Sequence, residues 1–223
     1  MAGTAVRLTT RCLTVCLLLL PAVHVTSAVA SDRRPLSRDS HRPSPCCLPY
    51  RFQAVIASLQ SFSVQARQVT RLYRNWEARI QVHEQATFTE TGIEQTLFRL
   101  ILDYKNGKQY MIQAGTCETS PITSGMLEPC MPADSTYLGN SYLGLFANQA
   151  NFDAWYFRRT DQNRNIEMTI MVTKDNCVPI MEHIAGTMGG APVDNLVLFT
   201  NVTENVNNSE FEIPYVCLGA NPM

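Results

Sequence analysis

Apolar and polar residues alternate along much of this chain. Trp76, Ala78, Ile80 and Val82 are spaced by Glu77, Arg79, Gln81 and His83, the pattern of a strand with one buried face and His83 turned outward. From Leu97 to Tyr104 the period continues, with Phe98, Leu100, Leu102 and Tyr104 on one face and a partly apolar second face of Leu97, Arg99, Ile101 and Asp103. Asn106-Gly107 separates this strand from another at Gln109 to Gln113. That dipeptide favours the positive φ angles of a type I′ turn, so a hairpin is expected here. Further strands are expected at Phe52 to Leu59, Arg67 to Tyr73, Phe152 to Arg158, Ile166 to Thr173, Val178 to Ile184, Leu196 to Asn201 and Phe211 to Val216. Thr116 to Asn140 reads as a loop, and Ser141 to Ala150 as one short helix.

About ten short strands joined by polar turns predict an all-β, mainly antiparallel fold with at most one or two short helices. The intervals are too short for the helical crossovers of a parallel sheet. Two strands are apolar on both faces: Ile166, Met168, Ile170 and Val172 oppose Met171, and Leu196 and Leu198 oppose Val197 and Phe199. Burial in a two-layer stack accounts for this without a ligand. A curved sheet around an apolar cavity, with methionine as an adaptable lining, is the sharper alternative, and the alternation by itself favours plain burial.

The N-terminus changes the picture from fold to compartment. Arg7 and Arg11 precede an apolar run through Leu17-Leu18-Leu19-Leu20, and Ala28-Val29-Ala30 has the small-x-small form of a cleavage site. Residues 1–30 are therefore expected to be a secretory signal peptide, too short and too interrupted by Pro21 to anchor in a bilayer. Residues 31–45, rich in arginine and proline, read as a disordered lead-in, and no transmembrane segment is expected beyond it. The chain carries 18 basic and 19 acidic residues; without Arg7 and Arg11 the balance is 16 − 19 = −3. No basic patch for nucleic acid follows from that balance.

Eight cysteines include Cys12 and Cys16 of the leader; Cys46, Cys47, Cys117, Cys130, Cys177 and Cys217 remain. In an oxidising compartment these six predict three disulfides, with 15 pairings open. Cys46 and Cys47 are neighbours and are expected to reach different partners. Asn201-Val202-Thr203 and Asn207-Asn208-Ser209 are glycan acceptor sequences in a polar stretch, so Asn201 and Asn207 are candidate glycosylation sites. The chain contains no nucleophile elbow, no HExxH zinc motif, no phosphate loop and no EF-hand. Gly186 to Gly190 reads as a turn. His41, His83 and His183 lack ligand or catalytic spacing, so the protein is not expected to be an enzyme. Asp161, Asp175, Glu204 and Glu210 are loop carboxylates from which a calcium site is conceivable, and no other cofactor is expected.

Three segments resemble the ependymin-related family. Phe98-Arg99-Leu100-Ile101-Leu102-Asp103-Tyr104-Lys105-Asn106-Gly107 with the following Cys117 is similar to its central hairpin. Thr173-Lys174-Asp175-Asn176-Cys177-Val178-Pro179 is similar to its lysine-aspartate-cysteine-x-proline signature, and Phe211 to Cys217 to its closing Phe-x-x-Pro-x-x-Cys. Trp155 falls where the family has a strand tryptophan. The resemblance covers about residues 46–218, leaving 219–223 as a tail. It implies a curved sheet similar to bacterial lipoprotein carriers, a secreted protein with an apolar pocket for a lipid-like ligand, calcium dependence and dimerisation. It also implies Cys117–Cys217 and a bond from Cys177 to Cys46 or Cys47, leaving Cys130 for the other. Vertebrate members carry a cysteine before the central hairpin that this chain lacks. Under this reading Phe98, Leu100, Leu102, Tyr110, Ile112, Trp155, Met168 and Ile170 line the pocket. The alternative is a structural or adhesive glycoprotein of an extracellular, calcium-rich or mineralised matrix, against which stands the absence of any acidic run.

Overall fold

The computed structural model describes residues 42–58, 68–145 and 149–219; the expected signal peptide lies outside them. Within these residues the alternating segments become eleven strands of one antiparallel sheet. They are β1 (Arg51–Ser58), β2 (Gln68–Asn75), β3 (Ile80–Phe88), β4 (Glu94–Asp103), β5 (Lys108–Gln113), β6 (Thr116–Pro121), β7 (Thr136–Leu143), β8 (Ala150–Asp161), β9 (Arg164–Thr173), β10 (Pro179–Met188) and β11 (Ala191–Thr203). Spatial order is β6-β5-β4-β3-β2-β1-β11-β10-β9-β8-β7. Two meanders, β1–β6 and β7–β11, thus join where the first strand pairs with the last. The expected all-β, antiparallel architecture is present as one continuous sheet.

The turns differ from expectation in instructive ways. Asp103 pairs with Lys108, so the Asn106-Gly107 connection spans four residues and is not a two-residue type I′ turn. The cause is Asp103, whose carboxylate accepts from the Asn106 amide nitrogen and from its Nδ2, at 3.0 and 2.6 Å, and closes the wider loop. Both turn residues have positive φ at Ala114-Gly115, between β5 and β6, and at Gly189-Gly190, between β10 and β11. Ala114 sits at φ 49°, where its Cβ crowds the following carbonyl. Ala114→Gly is expected to stabilise the protein by about 1 kcal/mol, read as a raised urea midpoint at unchanged m-value.

Four more expectations are corrected. Residues 76–79 form a turn, so Trp76 and Ala78 precede β3 and are not part of it. Thr116 to Asn140 contains β6 and the start of β7; both are sheet edges, where a strand needs no apolar alternation. Ser141 to Leu143 completes β7, so the expected helix is absent from that part; residues 146–148 are outside those described. Phe211 to Val216 is not a strand. It is two short 3-10 turns, Asn208–Phe211 and Tyr215–Cys217, divided by Pro214, which has no N–H for a ladder.

The sheet bends enough for side chains of non-adjacent strands to meet. Arg74 on β2 pairs with Glu182 on β10 at 3.6 Å, although β1 and β11 lie between them. Trp76, just after β2, packs against the β8–β9 core of Trp155, Phe157, Met168 and Ile170. We call this the inner face. Leu48, Leu127 and Met131 cap that core, and Phe52, Ala54, Leu72 and Phe199 extend it across the middle strands. On the outer face of the first meander, Tyr73, Val82, Ile101 and Tyr110 lie beneath Val206 and Phe211 of the C-terminal segment.

Candidate functional site

Three disulfides fasten the loops over the sheet: Cys46–Cys177 and Cys47–Cys130 on the inner face, and Cys117–Cys217 on the outer face. The adjacent cysteines part as their geometry requires, one to the residues before β10 and one to the loop before β7. Backbone bonds from Leu48 to Pro129 and from Met131 to Cys46 complete the clasp and set Leu48 and Met131 over the core. Cys117–Cys217 fastens the C-terminal segment to β6. Arg51 donates to the Val206 carbonyl at 2.5 Å and Arg99 to that of Glu210 at 2.6 Å, which ties the same segment to the outer face. Each bridge spans 83 to 131 residues, so each contributes about 4–5 kcal/mol in the chain-entropy picture.

The eight residues expected to line one cavity fall into three places. Trp155, Met168 and Ile170 are on the inner face but deeply buried, 1%, 4% and 2% exposed. The space that Met168 and Ile170 share with Trp76, Met131 and Phe157 is about 20 Å³, room for one water molecule. Phe98, Leu100 and Leu102 share that face on the other meander, half-buried and outside the three packed cores. Tyr110 and Ile112 point the other way, into the outer-face core with Ile101. The structure therefore does not gather all eight around one cavity.

What it does gather is a cross-strand apolar row. Leu72, His83, Leu100 and Met111 are successive register partners from β2 to β5, with Leu102 one pleat along. Leu72 is buried, and the row becomes half-buried beyond it. Met111 and His83 were missed from sequence: Tyr110 and Ile112 are the bulkier residues of β5, and the one available signal was register, since Leu100 faces Met111. His83 is not outward; it sits between Leu72 and Leu100.

A polar chain enters this row. Arg74, buried with Glu182, lies against the rings of Phe52 and Trp76, and its Nε donates to Gln81 Oε1 at 3.0 Å. Gln81 Nε2 meets His83 Nε2 at 2.6 Å. An arginine Nε is always a donor, so the Gln81 oxygen faces Arg74 and its NH2 faces the imidazole. His83 Nε2 is then the acceptor, and the neutral ring carries its proton on Nδ1. Desolvation, reinforced by the Arg74 charge, lowers the His83 pKa from 6.5 to about 4. The unfolded chain therefore binds more protons between pH 6.5 and 4. Stability is full above pH 6.5 and falls as the pH drops through that window, by up to ~3 kcal/mol. Denaturation curves at pH 7 and pH 4.5 are expected to show this loss, and His83→Leu to remove most of it.

Larger open space exists elsewhere. A groove of about 280 Å³ runs past Tyr50, Trp76, Arg79 and Met126, outside the capping loop. Among the described residues no three His, Cys, Asp or Glu side chains gather to hold a metal. Asp161 is engaged by Arg164 and Glu210 by Arg99, so these carboxylates do not fit a calcium site together. His183 pairs with Asp194 at 2.9 Å on the exposed side of β10. Asn201 is exposed at an irregularity of the β1–β11 ladder, and Asn207, also exposed, accepts from the Ser209 amide at 3.2 Å. No helix among the described residues is long and apolar enough to cross a membrane.

Comparison with known proteins bears on these segments directly. The Ependymin family model matches residues 92–217, from β4 through the second 3-10 turn. The chain is also 32% identical over 130 residues to "Ependymin-related protein 2" of Haliotis asinina. That match spans 53% of this chain and 63% of the relative's length. The family match takes in the β4–β5 hairpin, the Cys177 loop and the Cys117–Cys217 strap, and covers more than half of the sequence. The chain belongs to the ependymin family.

Proposed function

We propose that this is a secreted, glycosylated binding protein that takes up a hydrophobic, lipid-like molecule against the inner face of β3–β5. One observation carries the reading: the apolar row of the inner face continues past its packed core into half-buried Leu100, Leu102, Phe98 and Met111. Burial of such surface is worth ~25 cal/mol per Å², before the cost of ordering the ligand. Three disulfides fit the oxidising route of a secreted protein, and Asn201 and Asn207 are exposed where glycans would be attached.

Leu100 is the residue to test. Ile170 is too deeply buried to replace without unfolding, whereas a half-buried Leu100 tolerates a charge. Leu100→Asp is expected to weaken uptake of an apolar fluorescent probe at least tenfold while leaving the far-ultraviolet circular dichroism unchanged. Wild-type uptake by the folded variant would place the ligand elsewhere.

A further inference from the structure

The inner-face row offers one polar hydrogen, and the polar chain determines its character. The Arg74 Nε bond at 3.0 Å and the Gln81–His83 contact at 2.6 Å leave the imidazole proton on Nδ1. No described side chain or backbone group accepts from that Nδ1, and it is not among the sealed, unpaired atoms of the interior. It is an unpaired donor on a half-buried side chain, between Leu72 and Leu100. Arg74 offers no second donor to the row: it is 8% exposed, shared between Gln81 and Glu182, and stacked on Phe52 and Trp76.

Taking the inner-face binding reading as its basis, we propose that His83 Nδ1–H receives a neutral acceptor head of the ligand, and that the site takes long-chain alcohols, esters or other carbonyl-headed lipids in preference to fatty-acid anions. One neutral donor satisfies one hydroxyl or carbonyl oxygen. A carboxylate brought onto the same apolar surface would keep its charge without a counterion. Protonating His83 to supply one requires Nε2 to donate. Gln81 can accept that proton only by turning its NH2 toward Arg74, where donor would meet donor. The Arg74–Gln81 bond thus holds His83 neutral and excludes the anion.

The test compares a pyrene-labelled dodecanol, the corresponding dodecanoate and the methyl ester of that dodecanoate, titrated into folded, full-length protein at pH 7.4. The alcohol and ester are expected to bind at least fivefold more tightly than the carboxylate, and His83→Leu to weaken the alcohol and ester more than the carboxylate and so narrow that gap. Gln81→Glu accepts from both Arg74 and a protonated His83, so it is expected to reverse the preference toward dodecanoate. A ¹⁵N long-range spectrum of the unliganded protein is expected to show the Nδ1–H form of His83. Equal or tighter dodecanoate binding by the wild type, or an Nε2–H form, overturns the head-group assignment while leaving the binding reading in place. Failure of all three probes overturns both.

Discussion

Gly186→Ala is expected to cost at least ~3 kcal/mol, a loss of roughly 6–12 °C in melting temperature for a domain of this size. Two causes act together. The residue sits at φ +131°, a conformation that side chains rarely adopt, and a Cβ there would lie 2.2 Å from the Asn165 carbonyl oxygen and 3.0 Å from Ile166 Cα. Both neighbours are backbone of the paired strand β9, so relief requires the β9–β10 ladder to open beside the buried Ile166. Gly139 separates the two causes. Its φ is +128°, yet a Cβ there meets nothing within 4 Å. Gly139→Ala should therefore lose only the conformational part, about 1–2 kcal/mol. Equal losses at the two positions, measured by urea denaturation, would show that the close approach at Gly186 does not limit stability.

Glu182→Ala should cost about as much, for an electrostatic reason. Glu182 and Arg74 are 4% and 8% exposed, and their contact at 3.6 Å bridges the two meanders. Removing the carboxylate strands a buried guanidinium, a loss of ~3–5 kcal/mol. The double replacement Arg74→Met, Glu182→Leu removes both charges and is expected to recover most of that loss. Because Arg74 also orients Gln81, the double variant should free the Gln81 amide and let His83 titrate nearer its ordinary range. A double variant no more stable than Glu182→Ala would mean that the pair is not the source of the loss.

Much of the fold could be read from the residues. The strands β1, β2, β4, β5 and β8–β11 turn apolar side chains into the inner-face or outer-face cores, and that burial leaves a legible apolar pattern. The edge strands could not be read. Thr116–Pro121 and Thr136–Leu143 are mostly exposed and follow no apolar period, so hydrogen bonding to β5 and β8 makes them strands without leaving a pattern. Asn106-Gly107 misled for a local reason, since Asp103 three residues earlier captures the asparagine. Ala114-Gly115 hid a positive-φ turn behind an alanine.

The site was half legible. Phe98, Leu100 and Leu102 were assigned to one face, and they share it. Tyr110 and Ile112 were joined to them by size and hydrophobicity, but their partners are Ile101 and Arg99 on the opposite face. Trp155, Met168 and Ile170 read as lining and prove to be packed core, because whether a strand's apolar face meets a ligand or a capping loop is decided by distant residues. Here those residues are Leu48 and Met131, brought together by Cys46–Cys177 and Cys47–Cys130. The Arg74–Gln81–His83 chain spans two strands and depends on their register, which no single segment encodes.

The central claim is that the half-buried row of β3–β5 holds an apolar guest, and native mass spectrometry of the protein secreted from eukaryotic cells tests it most directly. The expected result is a glycoprotein with three disulfides and a stoichiometric adduct of lipid-like mass that organic solvent extracts, and that Leu100→Asp abolishes. A bare glycoprotein mass, from folded protein that also fails to take up alcohol, ester or fatty-acid probes, would contradict the claim and favour a structural role in the extracellular matrix.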